Sequence, residues 1–176
     1  MTRQQLIQDI EQSYTRVVEK IASVSEEEFY QKKNGKWSIA ENLAHLTLSA
    51  KLMNRALKAP KIGLLLRFGL HLKSFRDINW MNKTYAAATI PSTTGFEPRM
   101  QPESNKSFEL KEFKEKHLAL ISSANKWGNP ALDYLQLPHI VFGKLSIREY
   151  LMFIAFHIRH HEKAIDRIIA PTESQA

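Results

Sequence analysis

Apolar side chains recur at alternating intervals of three and four along most of the chain, the mark of helices that bury one face. In residues 2–24 the stripe is Leu6, Ile10, Tyr14, Val17, Ile21 and Val24, with Val18 beside it and no Gly or Pro inside. Ser25 before Glu26, Glu27 and Glu28 reads as an N-cap with acids in a short helical turn, and residues 31–36 form a polar loop. A second long helix has a sharply defined start. Ser38 with Glu41 three positions later is a capping box, in which each side chain satisfies an orphan amide of the first turn. Ile39, Leu43, Leu46, Ala50, Met53 and Leu57 carry its stripe, Leu48 and Leu52 widen it, and Pro60 ends it.

From 61 to 80 the periodicity loosens. Residues 62–72 are a dense apolar patch flanked by basic residues, read as a short helix or turn packed across the other helices or used in a dimer contact. Residues 88–107 are rich in Pro, Ser, Thr and Gly and form a long connection. A third long helix over 107–127 carries Leu110, Phe113, His117, Leu120, Ala124 and Trp127, and Gly128 and Pro130 close it. Residues 132–143 read as a further connection with turns at Pro138-His139 and Phe142-Gly143. The last helix repeats the Ser-Ile-x-Glu start at Ser146 and Glu149, and its stripe runs through Ile147, Leu151, Ile154, Ile158, His161, Ile165 and Ile168. No segment shows sustained strand alternation. An all-α four-helix bundle with one long crossover follows.

Composition narrows the picture. A chain of 176 residues, 43% apolar and 24% charged, suits one domain over 1–170 with a polar tail over 171–176. The net charge of +7 is spread over several short groups interleaved with acids, which argues against a nucleic-acid-binding stripe. The polar N-terminus lacks the apolar core of a secretion signal, and the 62–72 patch is too short to span a bilayer and is broken by Arg67 and two glycines. A cytoplasmic protein without a transmembrane segment is expected. There is no cysteine, so disulfides, thiolate ligands and a cysteine nucleophile are excluded and any metal must use nitrogen and oxygen ligands.

The candidate chemistry is histidine. His157, His160 and His161 fall within five residues of the last helix. Positions i and i+4 lie about 5–6 Å apart on one helix face, so His157 and His161 can share one ion, whereas two imidazoles in a dry interior would each otherwise need a partner. His160 groups with Glu149, Phe156, Lys163 and Arg167 on a mostly solvated flank, as a supporting or surface residue. Two histidines make an incomplete site. For a third ligand, His45 lies in the apolar band of the second helix but off its centre, and His117 lies mid-stripe in the third; periodicity does not separate them. His139 falls in a loop and His71 in the apolar patch.

Residues 35–46 (Gly-Lys-Trp-Ser-Ile-Ala-Glu-Asn-Leu-Ala-His-Leu) and two stretches near the end, 142–150 and 156–161, together resemble the second-helix and last-helix signatures of the DinB-like (DinB/YfiT-like) superfamily. The resemblance spans nearly the whole chain. It implies a four-helix bundle, often a homodimer, holding a divalent metal through three histidines, which by position are His45, His157 and His161. His117 then becomes a core or pocket residue. Many relatives carry glutamine three residues after the last histidine, where this chain has Ala164. Characterised relatives include thiol-dependent S-transferases and a thiol-dependent isomerase.

Two functions follow as expectations. One is an enzyme in which three neutral imidazoles hold zinc, nickel or iron with an open position, activating a small-molecule thiol against an electrophile, or water for hydrolysis. His117 and Tyr150 are candidate pocket groups for it. The other is a non-catalytic, metal-stabilised dimer acting in binding or stress, with the ion closed off by a fourth protein ligand and the 62–72 patch meeting a partner. An ion open to a pocket separates the first from the second.

Overall fold

The computed structural model describes residues 1–33, 35–88, 97–98 and 104–170. Asn34 of the polar loop, most of the 88–107 connection and the tail from Pro171 lie outside the described residues. Four long helices form the body: α1 (Arg3–Ala22), α3 (Ile39–Lys58), α6 (Lys106–Asn125) and α8 (Ile147–Ile169). They close into a ring, α1 against α8, α8 against α3, α3 against α6 and α6 against α1. Between them lie the short helices α2 (Glu26–Tyr30), α4 (Lys61–Phe68), α5 (Ile78–Ala87) and α7 (Asn129–Tyr134), and the strands β1 (Gln136–His139) and β2 (Gly143–Ser146). The bundle is all-α in its architecture, with its long crossover between α3 and α6. Among the described residues no helix is long and apolar enough to cross a membrane.

The stripes become the core. Leu6, Ile10, Val17 and Ile21 of α1, Leu43, Leu46 and Ala50 of α3, Phe113 and Leu120 of α6, and Leu151, Ile154 and Ile165 of α8 belong to one buried cluster. Both expected capping boxes form. Ser38 Oγ accepts from the Glu41 amide at 3.2 Å while the Ser38 amide donates to Glu41 Oε2 at 2.8 Å. Ser146 and Glu149 make the same pair of bonds at 3.1 and 2.8 Å. At the far ends, the Trp127 indole donates to the Leu57 carbonyl at 3.0 Å, tying α6 to α3.

Two regions depart from the sequence reading. The connection over 132–143 holds α7 and half of an antiparallel hairpin, with Gln136 opposite Ser146 and His139 opposite Gly143. Each strand has only four residues, too few to show alternation, and Gly143 takes φ +72° as the turn ends, a conformation side-chain-bearing residues avoid. β2 runs directly into α8, so the hairpin sets the angle at which α8 begins. The second departure is α5, whose one buried side chain, Met81, packs in a satellite cluster with Phe142, Leu145, Phe153 and Phe156. One buried position in ten leaves no stripe to read.

Glu149 joins these pieces. Beyond its capping bonds it accepts from the Arg76 amide at 2.9 Å and from Arg76 Nε at 3.0 Å, and His71 Nε2 lies 3.2 Å from its other oxygen. Burial by itself would raise this carboxyl, but the Arg76 guanidinium and the Arg76 and Ser146 amides outweigh it and hold the group below its ordinary range. The crossover is thus fastened to the first turn of α8. Arg76→Ala leaves a buried carboxylate short of its counter-ion and should cost roughly 3 kcal/mol in urea unfolding, while Lys111→Ala, at an exposed pair, should cost less than about 0.5 kcal/mol.

His117 is a core residue and does not line the cavity described below. It is buried, bonds through Nδ1 to the Phe113 carbonyl at 2.8 Å and lies against the Tyr14 ring. Burial pushes its pKa down to about 4. It stays neutral when folded, whereas the unfolded chain takes up a proton below about 6.5. Stability is therefore complete above 6.5 and is lost as pH falls toward 4, by about 3 kcal/mol for this group. Urea unfolding of His117→Asn, which can keep the bond to Phe113, should show a decline between pH 7 and pH 4 shallower by about that amount.

Candidate metal centre

The centre lies where α3 meets α8. The Ser38 capping box fixes the first turn of α3, and with it Asn42 and His45, four and seven positions further on. On α8 the four-residue spacing sets His157 and His161 on the face turned toward α3. The three rings meet through their Nε2 atoms. His157 Nε2 lies 3.1 Å from His45 Nε2 and 3.1 Å from His161 Nε2, and all three atoms lie within 4.8 Å of one another. His157 and His161 are buried and His45 is half-buried.

A short relay fixes one of these rings. The Asn42 amide nitrogen donates to the Ser38 carbonyl at 2.7 Å, which turns Asn42 Oδ1 toward His161 Nδ1, also at 2.7 Å. His161 therefore carries its proton on Nδ1 and presents a bare Nε2 to the centre. Trp37, just before the cap, stacks on His161 with 10° between planes and lies 5.1 Å from the His45 ring. Phe153 stacks on His157 from the other side at 5.0 Å.

Burial, and then the neighbouring imidazoles, hold both His157 and His161 well below the usual histidine range. The rings are thus neutral, with nitrogen lone pairs converging at hydrogen-bond distance. Protein bonding alone does not satisfy His157: one N–H on its Nε2 cannot fill both 3.1 Å gaps well, and its buried Nδ1 has no hydrogen-bond partner among the described residues, whether it is protonated or bare. A cation shared by the three Nε2 atoms fits this donor set. No carboxylate belongs to the group, so the group could hold a metal ion through neutral nitrogen alone.

An apolar cavity of about 620 Å³ adjoins the centre, with His45 and His157 in its wall. Tyr85 of α5 lines it too, its ring 6.5 Å from that of His157 and 5.1 Å from that of His160. Tyr150 lines it as expected. His160 is exposed and outside the group, in keeping with its helical phase. His71 lies apart, against Glu149.

The profile of the DinB superfamily matches residues 9–165, which takes in α3, most of α8 and every residue of the three-histidine group. The chain belongs to the DinB superfamily. Comparison with curated proteins and with solved structures returned no match. Four residues around this DinB centre were not singled out by sequence reasoning: Trp37, Asn42, Tyr85 and Phe153. Trp37 and Asn42 stand inside the second-helix signature, and a polar residue three positions before a candidate ligand on one helix face was a usable signal for Asn42. Tyr85 and Phe153 had none, because their roles depend on how the crossover folds back over α8.

Proposed function

We propose that this DinB-superfamily chain is a metal-dependent enzyme that transfers a small-molecule thiol to an electrophile at a site formed by His45, His157 and His161. The observation that carries the reading is the convergence of three histidine Nε2 atoms, with no carboxylate in the group, beside an apolar cavity. A divalent ion held there supplies a Lewis-acid centre that lowers the pKa of a thiol, or of water, toward neutrality. The chain has no cysteine, so the thiol comes from solution. In the transfer the thiol gives its proton to solvent, a carbon–sulfur bond forms, and the bond from that carbon to the leaving group breaks, the leaving group departing with the former bonding pair.

The protein's own part is arrangement. Asn42 holds His161 in the tautomer that points a lone pair inward, and Trp37 and Phe153 brace the rings and keep water from their faces. Leu52, Met53 and Ile154 give the cavity an apolar wall in which a reactive thiolate is shielded.

Elemental analysis of protein supplied with zinc, nickel or iron should find about one ion per chain. His45→Ala and His157→Ala should lose it, and His160→Ala should keep it. Asn42→Ala should bind about tenfold more weakly. Wild-type protein that takes up none of the three metals rules out the centre. For the reaction, mass spectrometry should detect conjugates when several cellular thiols are offered with a panel of electrophiles. Hydrolysis products without conjugates would move the assignment to a hydrolase at the same centre.

A further inference from the structure

The cavity wall has a chemical bias of its own. Among the described residues that line it there is no Lys, Arg, Asp or Glu, although the chain carries 25 basic and 18 acidic residues. Three of the groups that could ionise there are held neutral. Burial pushes Tyr150 up to about 12 and raises Tyr85, and it pushes His139 down to about 4. A charged ligand would leave water for a wall with no counter-ion, at a cost its own hydration sets. The volume falls in the range of small-molecule sites.

Within this wall one side chain is prepared as a donor. His139 ends β1, and its Nδ1 accepts from the amide of Val141 at 3.1 Å and more distantly from that of Phe142 at 3.4 Å. An Nδ1 that accepts cannot carry the proton, so the neutral ring is the Nε2–H tautomer. Phe142 at 4.7 Å and Phe153 at 4.4 Å hold the ring in place, and Phe153 is also the ring stacked on His157. No protein acceptor is within hydrogen-bonding distance of His139 Nε2 among the described residues. The result is a fixed, neutral N–H in a largely apolar wall whose other polar groups include the Ser49, Tyr85 and Tyr150 hydroxyls, separated from the three-histidine centre by a single aromatic ring.

We infer that the cavity binds a neutral, largely apolar molecule bearing an oxygen acceptor, and that His139 Nε2–H is the positioning donor that holds this oxygen. The inference rests on the proposed transfer only in taking this molecule as the electrophile. Electrophilic carbons are commonly activated by an attached carbonyl, nitro or epoxide oxygen, which is the kind of group such a donor selects. Carboxylate-bearing substrates have no place for their charge in this wall.

Binding can be measured on metal-free protein, so that failure of the metal reading and failure of this one are separate results. Three probes share one ring framework: benzophenone, with an acceptor; diphenylmethane, without one; and 4-benzoylbenzoate, with an acceptor and a charge. Each is titrated against the neutral fluorophore N-phenyl-1-naphthylamine in full-length protein. Benzophenone should bind about threefold to tenfold more tightly than diphenylmethane, and 4-benzoylbenzoate at least about tenfold more weakly than benzophenone. His139→Phe should bring benzophenone down to diphenylmethane without weakening the latter, and His139→Gln, which restores an N–H, should recover part of the difference.

Equal binding of the charged probe, a benzophenone preference that survives in His139→Phe, or no binding of any probe overturns the inference. Should His139→Phe fail to fold, long-range ¹H–¹⁵N NMR of the wild-type imidazole decides: the Nε2–H pattern supports the assignment, and an Nδ1–H pattern overturns it.

Discussion

The site depends on one contact above all, the meeting of α3 and α8 through Asn42 and His161. A helix end leaves its first amides unsatisfied, and Ser38 and Glu41 settle two of them. The Ser38 carbonyl, at the same turn, orients Asn42, and Asn42 orients His161 across the interface at 2.7 Å. A cap that would ordinarily serve only its own helix thereby sets the tautomer of a ring on another. If the register of α3 against α8 slipped by one residue, Asn42 would lose His161, and His45 would rotate by about 100° away from His157.

The second capping box does comparable work for the cavity. Glu149 closes the first turn of α8 and at the same time receives Arg76 from the crossover, while Arg76 also donates to the Phe142 and Lys144 carbonyls of the hairpin. Crossover, hairpin and helix start are therefore fixed to one another around a single buried carboxylate. α5 follows immediately after Arg76 and carries Tyr85 to the cavity, and the hairpin carries His139 there. Each wall of the cavity is anchored to an element that also positions the histidines, although none of these anchors touches them.

This division explains what could be read from the sequence. The four long helices, the two capping boxes and the facing of His157 and His161 are local: they follow from spacings of three and four and from side chains bonding within one turn. His45 is different. Helical phase does not separate it from His117, and only the resemblance to the superfamily preferred His45. The structure shows why phase is silent here: His117 faces Phe113 and Tyr14 in the core between α6 and α1, while His45 stands at the edge of its stripe, where α3 borders α8 and the cavity. Arg76, Tyr85 and His139 stayed unread for another reason. They sit on short elements or, for Arg76, on the connection before one, whose position is decided by long-range bonds to Glu149 and by packing on Phe142 and Phe153, and no periodicity records that.

Charge gives the arrangement its chemical sense. A centre ligated by carboxylates cancels part of an ion's charge, and three neutral imidazoles cancel none. The described residues that line the cavity beside them include no acid either, so none of them offsets positive charge at the histidine end. Field lines in an apolar, poorly screened space extend further than they do in water. Under the proposed transfer, with an ion held by the three histidines, the group best stabilised there is one that develops negative charge during reaction and is neutral before it, because a ligand already anionic would pay for dehydration across the whole apolar wall. A neutral acceptor oxygen, held by a neutral N–H and facing a cationic centre, meets that requirement, whereas an anionic substrate meets only half of it.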